Sequence, residues 1–345
     1  MDYRNLGRTG VKVSPFCLGT MNFGDRTDEA TSFAILDKAL DAGINFIDTA
    51  NAYQRGRSEE IIGNYMKERG VRERLVIATK VHHPMDRDDP NAFGTHRRHI
   101  IQACEDSLRR LQTETIDLYQ LHRPKSYIPI DETLRALDDL IRAGKVRYIG
   151  TSTFPAWRVL ESLWVAKEYG LNRVVTEQPP YNLLDRTIER ELIPMAQSYG
   201  IAVLPWSPTA RGFFSGKYRR GQVVPDDTRF KHEGDIGGFF GQWIADHLVD
   251  RAFDVLELVE NLAQEKNTTP IQVAIAWSLS KAGITAPIIG PRTLDQFNDY
   301  LGALTVSLTD DDHARIDAVA PPGQAIVPYY APSISDFGAS QFGWI

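Results

Sequence analysis

Four residues of this 345-residue chain are of types that can move a proton together. Asp48 and Tyr53 lie in "NFIDTANAY" (45–53), Lys80 ends "LVIATK" (75–80) and His122 closes "IDLYQLH" (116–122). A carboxylate at the end of an apolar run is costly unless it is paired, so Asp48 calls for a cation elsewhere in the sequence. A free tyrosine titrates near pH 10, about 3 units or 4 kcal/mol from easy proton exchange at neutral pH. A cation about 4 Å away supplies on the order of 4 kcal/mol at an effective dielectric near 20. Lys80 is the natural candidate, with Asp48 holding it charged and in place for Tyr53. His122 can then orient a carbonyl oxygen or share in proton relay. Taken singly, each residue has a plainer reading: a salt bridge closing a rim, a loop aromatic, a satisfied core histidine. Four of them at neighbouring strand ends favour chemistry.

The elements that must position them read as short apolar runs between longer amphipathic patterns. The runs are 16–20, 45–49, 75–80, 116–122, 146–152, 174–178, 201–207 and 286–290. They are nearly continuous in hydrophobicity and rich in β-branched residues, as in parallel strands covered on both faces. Between them, Phe33, Leu36 and Leu40 mark a helix with Thr27 as the expected N-cap and Gly43 as its stop. Ile101, Cys104, Leu108 and Leu111 mark another, and Leu134, Leu137 and Ile141 a third that ends at Gly144. Eight strand–helix units in this length predict an α/β fold, the (β/α)8 TIM barrel, as one domain over 1–345. A doubly wound sheet is the alternative, but no strand leads into a G-x-G-x-x-G turn. Residues before the first strand predict a β-hairpin turning at Gly7 to Gly10 that plugs the barrel bottom. A long loop after strand seven (208–245) and an aromatic C-terminal tail after Ala320 interrupt the repeat. Loops of that length are often functional, and Phe239, Phe240, Trp243, Tyr329, Tyr330, Phe337, Phe342 and Trp344 argue against plain disorder.

In such barrels the chemistry sits at the C-terminal ends of the strands. Those ends read Asp48, Lys80, His122, Ser152, Gln178 and Trp206. The net charge of −6 gives no reason to expect nucleic acid or an anionic membrane as a partner. Two distant cysteines, Cys17 and Cys104, suit a reducing cytoplasm. The polar start has no signal-peptide core, and no run approaches membrane-spanning length. "HHPMDRDDPNAFGTHRRH" is rich in histidine and aspartate, but its spacing matches no metal-ligand pattern. His82 and His83 are placed to line a pocket mouth, and Arg219 and Arg220 to be solvated.

The motifs "GINFIDTANAYQRGRSEEIIG", "LVIATKV", "IDLYQLHRP", "VRYIGTSTF", "EQPPYNLL", "LPWSPTARGFFSGKY" and "APIIGPRTLDQFNDYLGAL" resemble, in the same order, those of the aldo-keto reductases. The resemblance spans nearly the whole chain. It implies reversible, metal-free reduction of an aldehyde or ketone with NADPH, less often NADH. By that resemblance Tyr53 is the general acid, Asp48 and Lys80 assist it, and His122 positions the carbonyl. Ser152 and Gln178 hold the nicotinamide carboxamide, and Trp206 stacks on the ring. Ser207, Thr209, Gly212 and Lys217 contact the pyrophosphate, Arg292 the adenosine 2′-phosphate and Gln296 the adenine side. Independently, backbone N–H groups around Gly212 and Gly216 suit phosphate, and Gly290 and Thr293 before a helix, with Arg292, make an anion site. The chain has Ser152-Thr153 where many members have Ser-Asn, and Tyr300 where an adenine-contacting Asn is common. The rival readings are a barrel aldolase using Lys80 as a Schiff-base amine and an NADPH-binding redox sensor. Aromatic faces near the pocket suit a keto-sugar or a polycyclic ketone as the small-molecule substrate.

Overall fold

The computed structural model describes residues 1–86, 88–125, 127–226, 228, 230–231 and 244–329. Phe239, Phe240, Trp243, Tyr330, Phe337, Phe342 and Trp344 lie outside the described residues. All eight expected runs form strands of one parallel sheet. Following a hairpin of β1 (Arg4–Asn5) and β2 (Lys12–Val13), these are β3 (Cys17–Gly19), β4 (Phe46–Asp48), β5 (Val76–Val81), β6 (Ile116–Leu121), β7 (Val146–Ser152), β8 (Val174–Gln178), β9 (Ala202–Val203) and β10 (Ile288–Ile289). The sheet order runs β10-β3-β4-β5-β6-β7-β8-β9. Thr285 N–H donates to Val203 O at 2.9 Å and Ile288 N–H to Pro205 O at 2.8 Å, joining the last strand to β9. The fold is the (β/α)8 barrel.

Helices α1 (Glu29–Asp41), α2 (Arg57–Arg69), α3 (Arg97–Leu111), α4 (Ile130–Arg142), α5 (Ala156–Tyr169) and α6 (Leu192–Tyr199) cover the first strands. After the long loop come α7 (Asp250–Glu265), α8 (Pro270–Ser280), α9 (Leu294–Gly302) and α10 (Asp310–Val319). The N-cap of α1 is Asp28, not Thr27: the Asp28 carboxylate accepts from Thr31 N–H, while Thr27 Oγ1 donates to Arg292 O at 3.0 Å. A carboxylate caps as well as a hydroxyl and adds favourable charge at the helix N-terminus, which frees Thr27 to tie two loops together.

Two cores result. A large one lies between sheet and helices. A smaller one fills the barrel with Cys17, Phe46, Ala78, Leu118, Ala202 and Ala286, joined by Leu6 and Val13 of the hairpin. The hairpin therefore plugs the bottom, and Arg8 N–H donates to Gly200 O at 2.9 Å there. With the bottom filled by apolar side chains, the polar inward positions are confined to the opposite end. No helix among the described residues is long and apolar enough to cross a membrane.

Candidate active site

Period-two alternation places the polar layer one step above the apolar plug. Phe46 is followed inward by Asp48, Ala78 by Lys80, and Leu118 by Gln120 and then His122. Register aligns Lys80 with Gln120, Gln120 with Gly150, and Ser152 with Gln178. Gly150 is needed for this crowding, because a Cβ there would stand 2.0 Å from Thr176 Oγ1.

Lys80 is fully buried, and Asp48 nearly so. The Lys80 ammonium donates to Asp48 Oδ1, to Thr49 O at 2.9 Å and to Tyr53 OH at 3.2 Å. Burial alone would lower its pKa, but the attraction of Asp48 and Tyr53 outweighs that and raises it. Lys80 is thus a held cation, with all three N–H donors engaged. The other Asp48 oxygen accepts from Gln120 Nε2 at 3.0 Å and Gln178 Nε2 at 2.9 Å. Gln120 escaped the sequence reading. Its signal was available, since it alternates with His122 on one strand face.

Tyr53 reaches this point because the segment after β4 runs on beside β5. Thr49 N–H donates to Ala78 O at 2.8 Å and Asn51 N–H to Lys80 O at 3.2 Å. The chain then reverses through Gln54, Arg55 and Gly56, all at positive φ (48°, 53° and 93°). Non-glycine residues held there cost on the order of 1 kcal/mol each. The start of α2 anchors the turn from below. Ser58 Oγ meets Thr20 Oγ1 at 2.8 Å and Thr49 Oγ1 at 2.9 Å, while Glu59 accepts from Arg110 Nε at 2.7 Å and Thr79 Oγ1 at 2.5 Å.

His122 sits edge-on to Tyr53, with ring centroids 5.8 Å apart. Burial, then the charges of His83 and Lys80, hold its pKa well below the ordinary histidine value. A neutral imidazole can donate one hydrogen bond to a substrate oxygen without competing for the tyrosine's proton. His83 lines the pocket as expected, but His82 is buried behind it, stacked at 5.0 Å. Arg219 and Arg220 are surface residues, and Arg220 is tied to Asp250, Asp254 and Glu257.

Above this layer opens a cleft of about 640 Å³. Asp48, Tyr53, His122, Ser152, Gln178, Trp206, Ser207, Thr209, Gly212, Lys217, Gly290, Arg292 and Gln296 all line it; Lys80 lies beneath. Gly216 does not line it, and a Cβ there would instead face Glu260 Oε1 at 3.4 Å. The segment after β9 turns through Ser207, Ala210, Arg211 and Gly212 at positive φ, with Ser207 Oγ accepting from Arg211 N–H at 2.8 Å. A Cβ on Gly212 would meet nothing within 4 Å, so the turn presents bare backbone to the cleft. Across it, Thr293 caps α9, and Gln296 Oε1 accepts from Arg292 N–H at 2.8 Å, which commits that oxygen. Among the described residues the Arg292 side chain forms no ion pair. Bare backbone and Lys217 on one side, with a capped helix start and an unpaired arginine across from them, fit a dinucleotide's phosphates. Ser152 Oγ donates to Gln178 O at 3.0 Å, and the amide nitrogen of Gln178 is committed to Asp48 and Gln120.

Beneath Ser152 and Thr153 lies Glu177, fully buried and accepting from Phe154 N–H at 3.0 Å. Burial pushes its pKa up to about 8. An acid raised in this way contributes stability in its protonated form below the ordinary carboxylate range. That contribution is lost progressively as pH climbs toward 8. Glu177→Gln is therefore expected to stabilise the protein, with a margin that widens by on the order of 2 kcal/mol between pH 6 and pH 9. Thermal melts of both proteins across that range test it, and a margin independent of pH contradicts it.

Comparison with known proteins shows the family. The model of the Aldo/keto reductase family matches residues 15–321. The chain is 40% identical over 340 residues to the "Uncharacterized oxidoreductase YrpG" of Bacillus subtilis (strain 168), covering 96% of this chain and all of the relative. It is 35% identical to the "Probable voltage-gated potassium channel subunit beta" of Oryza sativa subsp. japonica, over 92% of this chain and 96% of that one. It is 34% identical to the "Versiconal hemiacetal acetate reductase" of Aspergillus parasiticus, over 90% and 95% respectively. The chain belongs to the aldo/keto reductase family. It is an oxidoreductase of carbonyl compounds, in a family that uses a nicotinamide cofactor.

Proposed function

We propose that this protein reduces an aldehyde or ketone reversibly with NADPH and that Tyr53 supplies the proton. The observation that carries this reading is the Lys80 ammonium, buried between Asp48 and the Tyr53 hydroxyl at the floor of the cleft. Ser152, Gln178 and Trp206 would hold a reduced nicotinamide in the cleft, and the hydride for the carbonyl carbon would come from it. Tyr53 gives its hydroxyl proton to the carbonyl oxygen, and the phenolate that results is stabilised by Lys80 at 3.2 Å. His122, neutral and edge-on to Tyr53, donates to the same oxygen. Asp48 keeps Lys80 charged, and Gln120 and Gln178 fix the orientation of that carboxylate.

In this reading Ser152 and Gln178 lie toward the carboxamide, where the Gln178 side-chain oxygen is the group best placed to accept. Trp206 provides a face for the ring, Ser207, Thr209, Gly212 and Lys217 take the pyrophosphate, and Gln296 borders the adenine. Arg292 favours NADPH over NADH because a guanidinium binds a phosphate by two hydrogen bonds. Residues 1–345 act as a single domain in a cytoplasmic setting. Trp206 and Tyr329, edge-to-face at 4.9 Å, form an aromatic wall suited to a keto-sugar or a polycyclic ketone. Against the aldolase reading, a Schiff-base lysine needs a free, neutral amine. Lys80 is raised in pKa, and its hydrogen bonds are all committed.

The test is NADPH oxidation against a panel of aldehydes, keto-sugars and polycyclic ketones, run in both directions. Turnover of at least one class is expected. Cofactor binding with no oxidation across the panel overturns the reading in favour of a redox sensor. In the same assay Arg292→Ala is expected to raise the KM for NADPH by about 10-fold or more while leaving that for NADH within about 2-fold. Equal loss with both cofactors contradicts the 2′-phosphate assignment.

A further inference from the structure

Arg123, the residue after His122, has no part in the proton chemistry above, yet it lines the same cleft. Its Nη1 donates to Thr153 Oγ1 and, at 3.3 Å, to the His122 carbonyl. Its guanidinium carbon lies 5.9 Å over the ring of Tyr329, which in turn packs on Trp206. These contacts hold the group at the substrate end of the cleft, beside His122 and away from the phosphate wall. Both hydrogen bonds use Nη1. Among the described residues the other N–H donors have no partner, and Arg123 forms no ion pair.

A half-buried guanidinium without a counter-charge is an expensive arrangement unless something else supplies the anion. The neighbouring acids do not. Asp48 is taken by Lys80, and the Asp185 carboxylate by Thr187 and the Tyr329 N–H. Glu177, with its pKa at about 8, is largely protonated at neutral pH. A second cation adds to the field: Lys125 is buried, lies 4.6 Å over the Phe93 ring and forms no ion pair among the described residues. His83 reports the result, because burial and then the charges of Arg123 and Lys125 hold its pKa down at about 4. The substrate end is thus electropositive, with a neutral imidazole, an aromatic wall and a guanidinium presenting unused donors.

We propose that Arg123 anchors an anion subsite at the substrate end of the cleft, and that the carbonyl compound reduced carries a carboxylate remote from the reacting group. This rests on the reductase reading and narrows its substrate class. The carboxylate accepts from the free N–H donors of Arg123 while the carbonyl oxygen meets Tyr53 and His122. The aromatic wall takes the body of the molecule between them.

The test compares 3- and 4-formylbenzoate with their methyl esters, which share the carbonyl but lack the charge. For the wild-type protein, kcat/KM is expected to favour an acid over its ester by about 10-fold or more. Arg123→Met keeps the side-chain stem and is expected to lower kcat/KM for the acid by about 10- to 100-fold, mainly through KM. The ester should stay within about 3-fold, and Arg123→Lys should recover part of the loss. An ester used as well as its acid, or an Arg123→Met loss equal for both, overturns the proposal and leaves the reductase reading standing. Calorimetric titration of the formylbenzoates, with and without NADP+, separates the opposite case. If no aldehyde oxidises NADPH, the reductase reading fails, and carboxylate binding that Arg123→Met removes still supports the subsite. Absent or unchanged binding there overturns it as well.

Discussion

Tyr53→Phe is expected to lower kcat for carbonyl reduction by about 1000-fold or more while the affinity for NADPH changes by less than about 2-fold. The substitution removes one oxygen and no charge, and the ring keeps its edge-to-face contact with His122. What disappears is, among the described residues, the only hydroxyl in contact with the Lys80 ammonium. Hydride arriving at the carbonyl carbon then leaves an alkoxide that must take its proton from water. His122 is a poor substitute, because its imidazole is neutral and held well below the ordinary pKa. Initial-rate measurements with a fluorescence titration of the cofactor separate the two effects. Turnover close to wild type would end the assignment, and a parallel loss of cofactor binding would point to a collapsed site.

Lys80→Met is expected to lose activity to a similar degree and also to destabilise the fold by about 3–5 kcal/mol. Removing the ammonium leaves Asp48 with a buried negative charge balanced only by the Gln120 and Gln178 amides. Asp48→Asn combined with Lys80→Met removes both charges, and the double variant should recover most of the lost stability. It should recover none of the activity, because the phenolate of Tyr53 would still lack its cation. Denaturant unfolding and initial rates on the two variants decide this. If the double variant is no more stable than the single one, burial of an unpaired charge is not the cause. If either turns over near the wild-type rate, Lys80 serves only to close the barrel rim.

Much of this site was legible in the residues because parallel barrels impose two simple rules. Alternation fixes which side chains face inward, and chain direction fixes which strand ends face the cleft. Asp48, Lys80, His122, Ser152 and Gln178 follow from those rules alone. Gln120 follows from them too, but a polar residue inside a strand does not announce its partner. The missed cap at Asp28 has a different origin. Thr27 and Asp28 are both good capping residues, and local preference cannot choose between them once Thr27 is claimed by Arg292, 265 positions away.

By itself, the sequence determined the barrel, the hairpin plug and the set of polar strand ends, since each depends on patterns within a few dozen residues. Tertiary structure alone decided the pairings and the charge states. Lys80 is a cation because Asp48 and Tyr53 converge on it against the pull of burial, and Glu177 is raised to about 8 because burial outweighs the hydrogen bonds it accepts. That the Arg123 guanidinium has no ion pair among the described residues is visible only once Asp48 and Asp185 are assigned to other partners and Glu177 is seen to be buried. Electrostatic energy depends on distance and burial in three dimensions, and neither is written in spacing along the chain.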